Sequence, residues 1–117
     1  MASTFRGLTF DAHDAHATAV FWAAVLGRDL APGASAARAE LLDDPVEHAP
    51  RIVFEQVLDG HPVHGALRLD LVTPDLTSES DRLVRLGARR LGRVTAGTSW
   101  VTLTDPEGNP FDLVAAA

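Results

Sequence analysis

The sequence predicts an α+β fold in which one arrangement, a strand, a helix and further strands, occurs twice. Three observations carry this. In GALRLDLV, residues 65–72, Leu67, Leu69 and Leu71 alternate with Arg68, Asp70 and Val72, the period of a strand with one packed face. Asp14 and Asp75 each stand before apolar residues at helical spacing, with Gly27 and Gly87 placed to end those helices. The chain closes with DPEGNPFDLV, a turn that feeds a strand.

Residues 5–12 read as the first strand. Asp14 then caps a helix whose apolar positions are Ala17, Val20, Phe21, Ala24 and Val25. From Arg28 to Pro50 the pattern predicts only short strands and loops, with a strand at 37–42 and an acidic turn, DDPVE. RIVFEQV at 51–57 is a strand, and DGHPVHG at 59–65 carries the residues of a linker. The pattern then restarts: a strand at 65–73, a helix carrying Leu76, Leu83 and Val84, strands at 91–94 and 99–104, and the final strand.

A chain of 117 residues with 46% apolar content is one domain with enough material for a core. A net charge of −6, with acids and bases interspersed, argues against nucleic acid and anionic membranes as partners. The chain has no cysteine, so disulfides, thiolate metal sites and cysteine nucleophiles are absent. With no apolar run near the length of a membrane span and no leader-like start, the expectation is a soluble cytoplasmic protein.

The two halves resemble each other in detail. Setting Asp14 against Asp75 brings Leu8 onto Leu69, Phe10 onto Leu71 and Gly7 onto Arg68. FEQV at 54–57 matches FDLV at 111–114, which sets Glu55 against Asp112. The halves run from about 5 to 58 and from about 65 to 115.

FDAHDAHATAVFWAAVLG, LRLDLVTPDL followed by LGAR, and SWVTLTDPEGNPFDLV together resemble the glyoxalase-like proteins of the vicinal oxygen chelate superfamily, the glyoxalase/bleomycin resistance protein/dioxygenase group. The resemblance covers residues 5–27 and 51–114 well and 28–50 weakly, and it rests most on the DPEGN turn. It implies two βαβββ modules in a curled, mostly antiparallel sheet around a pocket. In the metal enzymes of that superfamily each module supplies one position on its first strand and one on its last. Here those positions are Gly7, Glu55, Arg68 and Asp112, the same four that the internal duplication pairs.

A catalytic divalent ion held by nitrogen and oxygen takes three protein ligands and an open position. This set offers two carboxylates, because glycine has no donor and arginine stays protonated. Arg68 therefore reads as the electrostatic substitute for a metal, or alternatively as a partly exposed surface charge. The prediction is no cofactor and no stoichiometric zinc, nickel, iron or manganese. His13 with His16, and His61 with His64, have spacings that could pair ligands, but nothing makes them converge, and solvent-exposed histidine is the simpler reading. His48 carries no signal.

Thr9, Asp11 and Asp70 share the predicted cupped face and are candidates for acid, base or hydrogen-bonding roles; Asp70 is equally a structural neighbour of Arg68, and Asp11 an ordinary turn acid. Trp100 lies on that face as either pocket wall or core filler, whereas Trp22 belongs to the core. The expected ligand-binding set is thus Thr9, Asp11, Glu55, Arg68, Asp70, Trp100 and Asp112, with no catalytic residue assigned. Three functions remain open: a metal-free protein that binds or sequesters a small organic ligand, a metal-independent lyase, isomerase or hydrolase using cup-face carboxylates and Arg68, and a metal-dependent lyase or dioxygenase with atypical ligands. A homodimer is expected, from the resemblance and from the uncovered sheet face.

Overall fold

The structure is a computed structural model that describes residues 7–43, 50–57, 68–94 and 99–116. It contains two compact units, Met1–His61 and Pro62–Ala117. Among the described residues there are seven strands in two mixed sheets and two helices, the α+β composition expected of the glyoxalase fold.

The first unit comprises β1 (Gly7–Ala12), α1 (Ala15–Leu26), β2 (Arg38–Leu41) and β3 (Arg51–Gln56), with sheet order β1-β3-β2. β1 and β3 are parallel, with the helix in the connection between them, and β2 is antiparallel to β3. Asp14 starts α1 as expected: its backbone is extended and its carboxylate accepts from the Ala17 amide at 3.1 Å, satisfying a donor the helix cannot. Gly27 ends it with φ 66°, a left-handed conformation in which a Cβ would be strained.

The core of this unit is aromatic. Phe10 stacks on Trp22 and on Phe54, with ring centroids 5.7 and 5.2 Å apart, and Phe21 meets Trp22 edge-on at 5.3 Å. Trp22 is fully buried, as its sequence position implied. Val20 is not: it is exposed, as are Ala17 and Ala24, so the outward side of α1 is apolar as well as the packed side. Arg28 is buried just after the helix and donates from Nε to the Leu42 carbonyl at 2.8 Å and from Nη1 to the Pro50 carbonyl at 3.2 Å, joining the ends of the segment between β2 and β3.

The second unit comprises β4 (Leu69–Thr73), α2 (Leu76–Leu86), β5 (Arg89–Val94), β6 (Trp100–Thr104) and β7 (Pro110–Ala115), in sheet order β4-β7-β6-β5. Its first and last strands are again the parallel pair, and the rest is antiparallel. Asp75 accepts from the Ser78 amide at 3.0 Å, and Gly87 closes the helix at φ 119°. Leu76 and Leu83 are buried, but Val84 points to solvent. Val101, Leu103, Phe111 and Leu113 form the helix-facing side of the sheet.

The DPEGN turn owes its form to Asp105. This carboxylate is buried, accepting from the amides of Glu107 and Asn109 and from the Asn109 side chain, each at 2.9 Å. The motif is thus a turn-building device, which is why it marks the fold.

Among the described residues the units differ in one strand. The second has three strands after its helix; the first has two, together with an isolated antiparallel bridge from Leu30 to Leu41, on the edge of β2 that corresponds to the place of β5 beside β6. The pairing ends with the Ala31 amide, which donates to the Glu40 carbonyl at 2.8 Å, and the chain then turns at Pro32 and Gly33, the latter at φ 89°. The acidic turn from residue 44 on, and the linker at 59–65, lie outside the described residues.

Candidate functional site

In each unit the helix covers one sheet face, and strand alternation sends the candidate residues to the other. In the first unit β1 and β3 set Gly7 opposite Arg51, Thr9 opposite Val53, and Asp11 opposite Glu55. Thr9, Asp11 and Glu55 are all exposed there. Across β2, Arg38 stands opposite Glu55 and Glu40 opposite Val53.

Sequence reasoning missed the strongest interaction on this face. Glu40 accepts from Arg51 Nη2 at 2.8 Å and from Arg38 Nη2 at 3.3 Å. The Arg51 hydrogen bond, with help from Arg38, holds the Glu40 carboxyl below its ordinary value against the opposing effect of desolvation. The only signal in the sequence was the alternation of Arg38 with Glu40; the contribution of Arg51 depends on strand pairing.

Gly7 is more constrained than the lack of a donor suggests. A Cβ there would overlap the Arg51 carbonyl oxygen and lie 2.8 Å from the Arg51 Cβ, so the close approach of β1 and β3 excludes a side chain. A small cavity of about 100 Å³ opens at Gly7, Leu8, Thr9 and Arg51.

In the second unit Asp70 pairs with Asp112, and Asp112 in turn with Thr102. Thr102 donates its hydroxyl to Asp112 Oδ1 at 2.6 Å, and Arg68 Nη1 lies 3.5 Å from Oδ2. The Asp112 side chain is 16% exposed and that of Arg68 53%. Arg68 is therefore an ion-pair partner of Asp112, yet half in solvent, and it lies just before β4 rather than in mid-strand. Asp70 is exposed. The next row across the sheet is Val72, Val114 and Trp100, with Trp100 half-buried on the helix-averted side.

The register corrects one detail of the duplication. Gly7 opposes Arg51 in one unit, whereas Leu69 opposes Phe111 in the other. With Asp14 and Asp75 equated, Glu55 then corresponds to Val114 and Asp112 to Val53, so the two acids share a face type but differ by two residues along their ladders. Each unit nevertheless has one pair of acids facing each other across its parallel strands: Asp11 with Glu55, and Asp70 with Asp112.

His13 and His16 are exposed at the start of α1, and the His13 carbonyl accepts from Gln56 Nε2 at 2.8 Å. His48, His61 and His64 lie outside the described residues. Among the described residues no three of the His, Asp and Glu side chains come together as a metal-ligand group, and no helix is long and apolar enough to cross a membrane.

No curated protein matches the chain. Solved structures similar to it include a glyoxalase-related enzyme from Fulvimarina pelagi, 14% identical with a TM-score of 0.74 over 98% of this chain and 89% of that one. The fosfomycin resistance protein FosX from Mesorhizobium loti is 12% identical with a TM-score of 0.73, covering 100% of this chain and 95% of its own. A member of the glyoxalase/bleomycin resistance protein/dioxygenase superfamily from Sphaerobacter thermophilus is 17% identical with a TM-score of 0.70, covering 98% of each. At these identities the likeness speaks for the fold alone. The family model for a glyoxalase-like domain matches residues 7–114, nearly the whole chain, and the chain belongs to that family.

Proposed function

We propose that this protein binds a small organic ligand on its helix-averted sheet faces, sequestering it without a catalytic metal. The observation that carries the reading is the Arg68–Asp112 ion pair: one of the two carboxylates at the family's ligand positions already faces a guanidinium and accepts a hydrogen bond from the Thr102 hydroxyl. The donor set does not fit a divalent ion, since Gly7 admits no side chain, Arg68 cannot ligate, and two carboxylates leave a cation mostly hydrated.

What the second unit offers instead is a polar row, Asp70, Asp112 and Thr102, beside an apolar row, Val72, Val114 and Trp100. A flat ligand would stack on the indole and turn its polar groups to the carboxylates. The protein is proposed to act as a homodimer, supported by the apolar outward positions Ala17 and Val20 of α1.

The test is native mass spectrometry with elemental analysis of the protein purified without added metal. The expected result is a dimer that carries an organic adduct and less than stoichiometric metal. About one tightly held divalent ion per chain would overturn the metal-independent reading.

A further inference from the structure

Half of the chain's positive charge lies in one short stretch. Of its ten basic residues, Arg82, Arg85, Arg89, Arg90 and Arg93 fall between 82 and 93, and no acid occurs between Asp81 and Asp105. The charges are thus less interspersed than the whole-chain balance implies. Folding then sorts them. Arg82 is committed to Glu79 by two bonds of 2.6 and 2.7 Å within α2. Arg90 reaches from β5 to α2, where Ser80 Oγ accepts from its Nε and Nη2 at 3.0 and 2.8 Å and Asp81 Oδ1 accepts from Nη2 at 3.0 Å. Arg93 has no hydrogen-bond or ion-pair partner among the described residues.

Arg93 is placed at a cavity. Between α2 and strands β5 and β6 lies a space of about 250 Å³ that Arg90 and the exposed Arg93 face from the sheet and Thr77, Ser80 and Asp81 from the helix, with Leu76 and Val101 as its apolar wall. It is on the helix-covered side of the sheet, away from the ligand face proposed above.

We propose that this cavity is a second binding site, for a small organic monocarboxylate. Of the charged groups lining the cavity, Asp81 is balanced by Arg90, which leaves the Arg93 guanidinium uncompensated among the described residues, and a carboxylate matches its planar fork. Ser80 is buried and already accepts both bonds from Arg90, so its hydroxyl proton is left for an acceptor in the cavity. Leu76 and Val101 are buried apolar surface, which suits a short hydrocarbon body and not a fully hydrated inorganic anion. The volume is smaller than that of pockets for drug-sized ligands, so the acid is small.

Titration of the isotope-labelled protein with butyrate, followed by amide chemical shifts, tests this. Butyrate is expected to produce saturable shifts in α2, β5 and β6, and butyramide, of the same shape but neutral, none. Arg93→Gln should weaken butyrate about tenfold without moving the melting temperature, and Arg93→Lys should fall between. No saturable shifts, equal binding of butyramide, or undiminished binding to Arg93→Gln would overturn the site. Shifts confined to β4 and β7 would overturn it too, by assigning the acid to the opposite face. Inorganic phosphate binding as tightly at the same amides would overturn the choice of an organic acid.

Discussion

Thr102 and Asp112 are joined across β6 and β7 by a hydrogen bond of 2.6 Å, the shortest link in the polar row of the second unit's open face. Asp112 is mostly buried, so this bond rather than the ion pair to half-exposed Arg68 is expected to carry most of its stabilisation. Arg68→Ala is expected to cost less than about 1 kcal/mol, because exposed ion pairs are screened by water. Thr102→Val should cost about 1–2 kcal/mol, since it removes the hydrogen bond to Oδ1 of a partly buried carboxylate. Urea denaturation at pH 7 of the two variants checks the order, and a larger loss for Arg68→Ala would show that the guanidinium, not the hydroxyl, holds the carboxylate.

Restoring a metal ligand should succeed at one of the family's first-strand positions and fail at the other. Arg68→His removes a cation and adds an imidazole beside Asp112, and zinc affinity should rise by about tenfold or more. Gly7→His should show no gain and should lower stability by about 1–3 kcal/mol, as expected when a side chain is forced into a packed interface; here its Cβ meets the Arg51 backbone. Calorimetric zinc titrations of both variants decide this, and a gain for Gly7→His would refute the steric account.

The Arg51–Glu40–Arg38 cluster makes stability pH-dependent with a definite sign. Glu40 in the folded chain is held below its ordinary value of 4.5, so its contribution is complete above that value and is lost as pH falls through the lower folded-state value. Glu79, held down by its hydrogen bonds from Arg82, acts in the same direction. Glu40→Gln is expected to lower stability at pH 7 by under about 1 kcal/mol, given its partial exposure. Below pH 4.5 its stability should fall less steeply than that of the parent. Thermal melts between pH 7 and pH 3 measure this, and parallel curves would contradict it.

Asp105 is the acid whose loss should matter most to folding. Asp105→Ala removes a buried acceptor from the amides of Glu107 and Asn109 and from the Asn109 side chain, at a cost of about 2–4 kcal/mol. Asp105→Asn, which keeps one acceptor oxygen, should retain part of that. Equilibrium unfolding of the two variants tests the ranking, and equal stabilities would show that the turn is held by its backbone alone.

The sequence by itself determined the elements whose causes are local. Asp14 and Asp75 cap helices through amides three residues on, Gly27 and Gly87 end them in the left-handed region, and the alternation of Leu69 and Leu71 with Asp70 and Val72 assigns faces before any strand has a partner. The helix spacing was legible, but not which apolar positions it buries: Val20 and Val84 fit the period and still face solvent.

Tertiary structure alone decided what depends on register. A shift of two residues preserves every face, so hydrophobic alternation could not reveal that Glu55 lies opposite Asp11 while Asp112 lies opposite Asp70. The same applies to Gly7, whose need for glycine arises from the Arg51 backbone across the ladder, and to Arg90, which finds Ser80 only when β5 packs beside α2. Local propensity acts over a few bonds of the chain, whereas pairing strength, steric exclusion and ion pairing act through space between segments whose separation along the chain carries no trace of the contact.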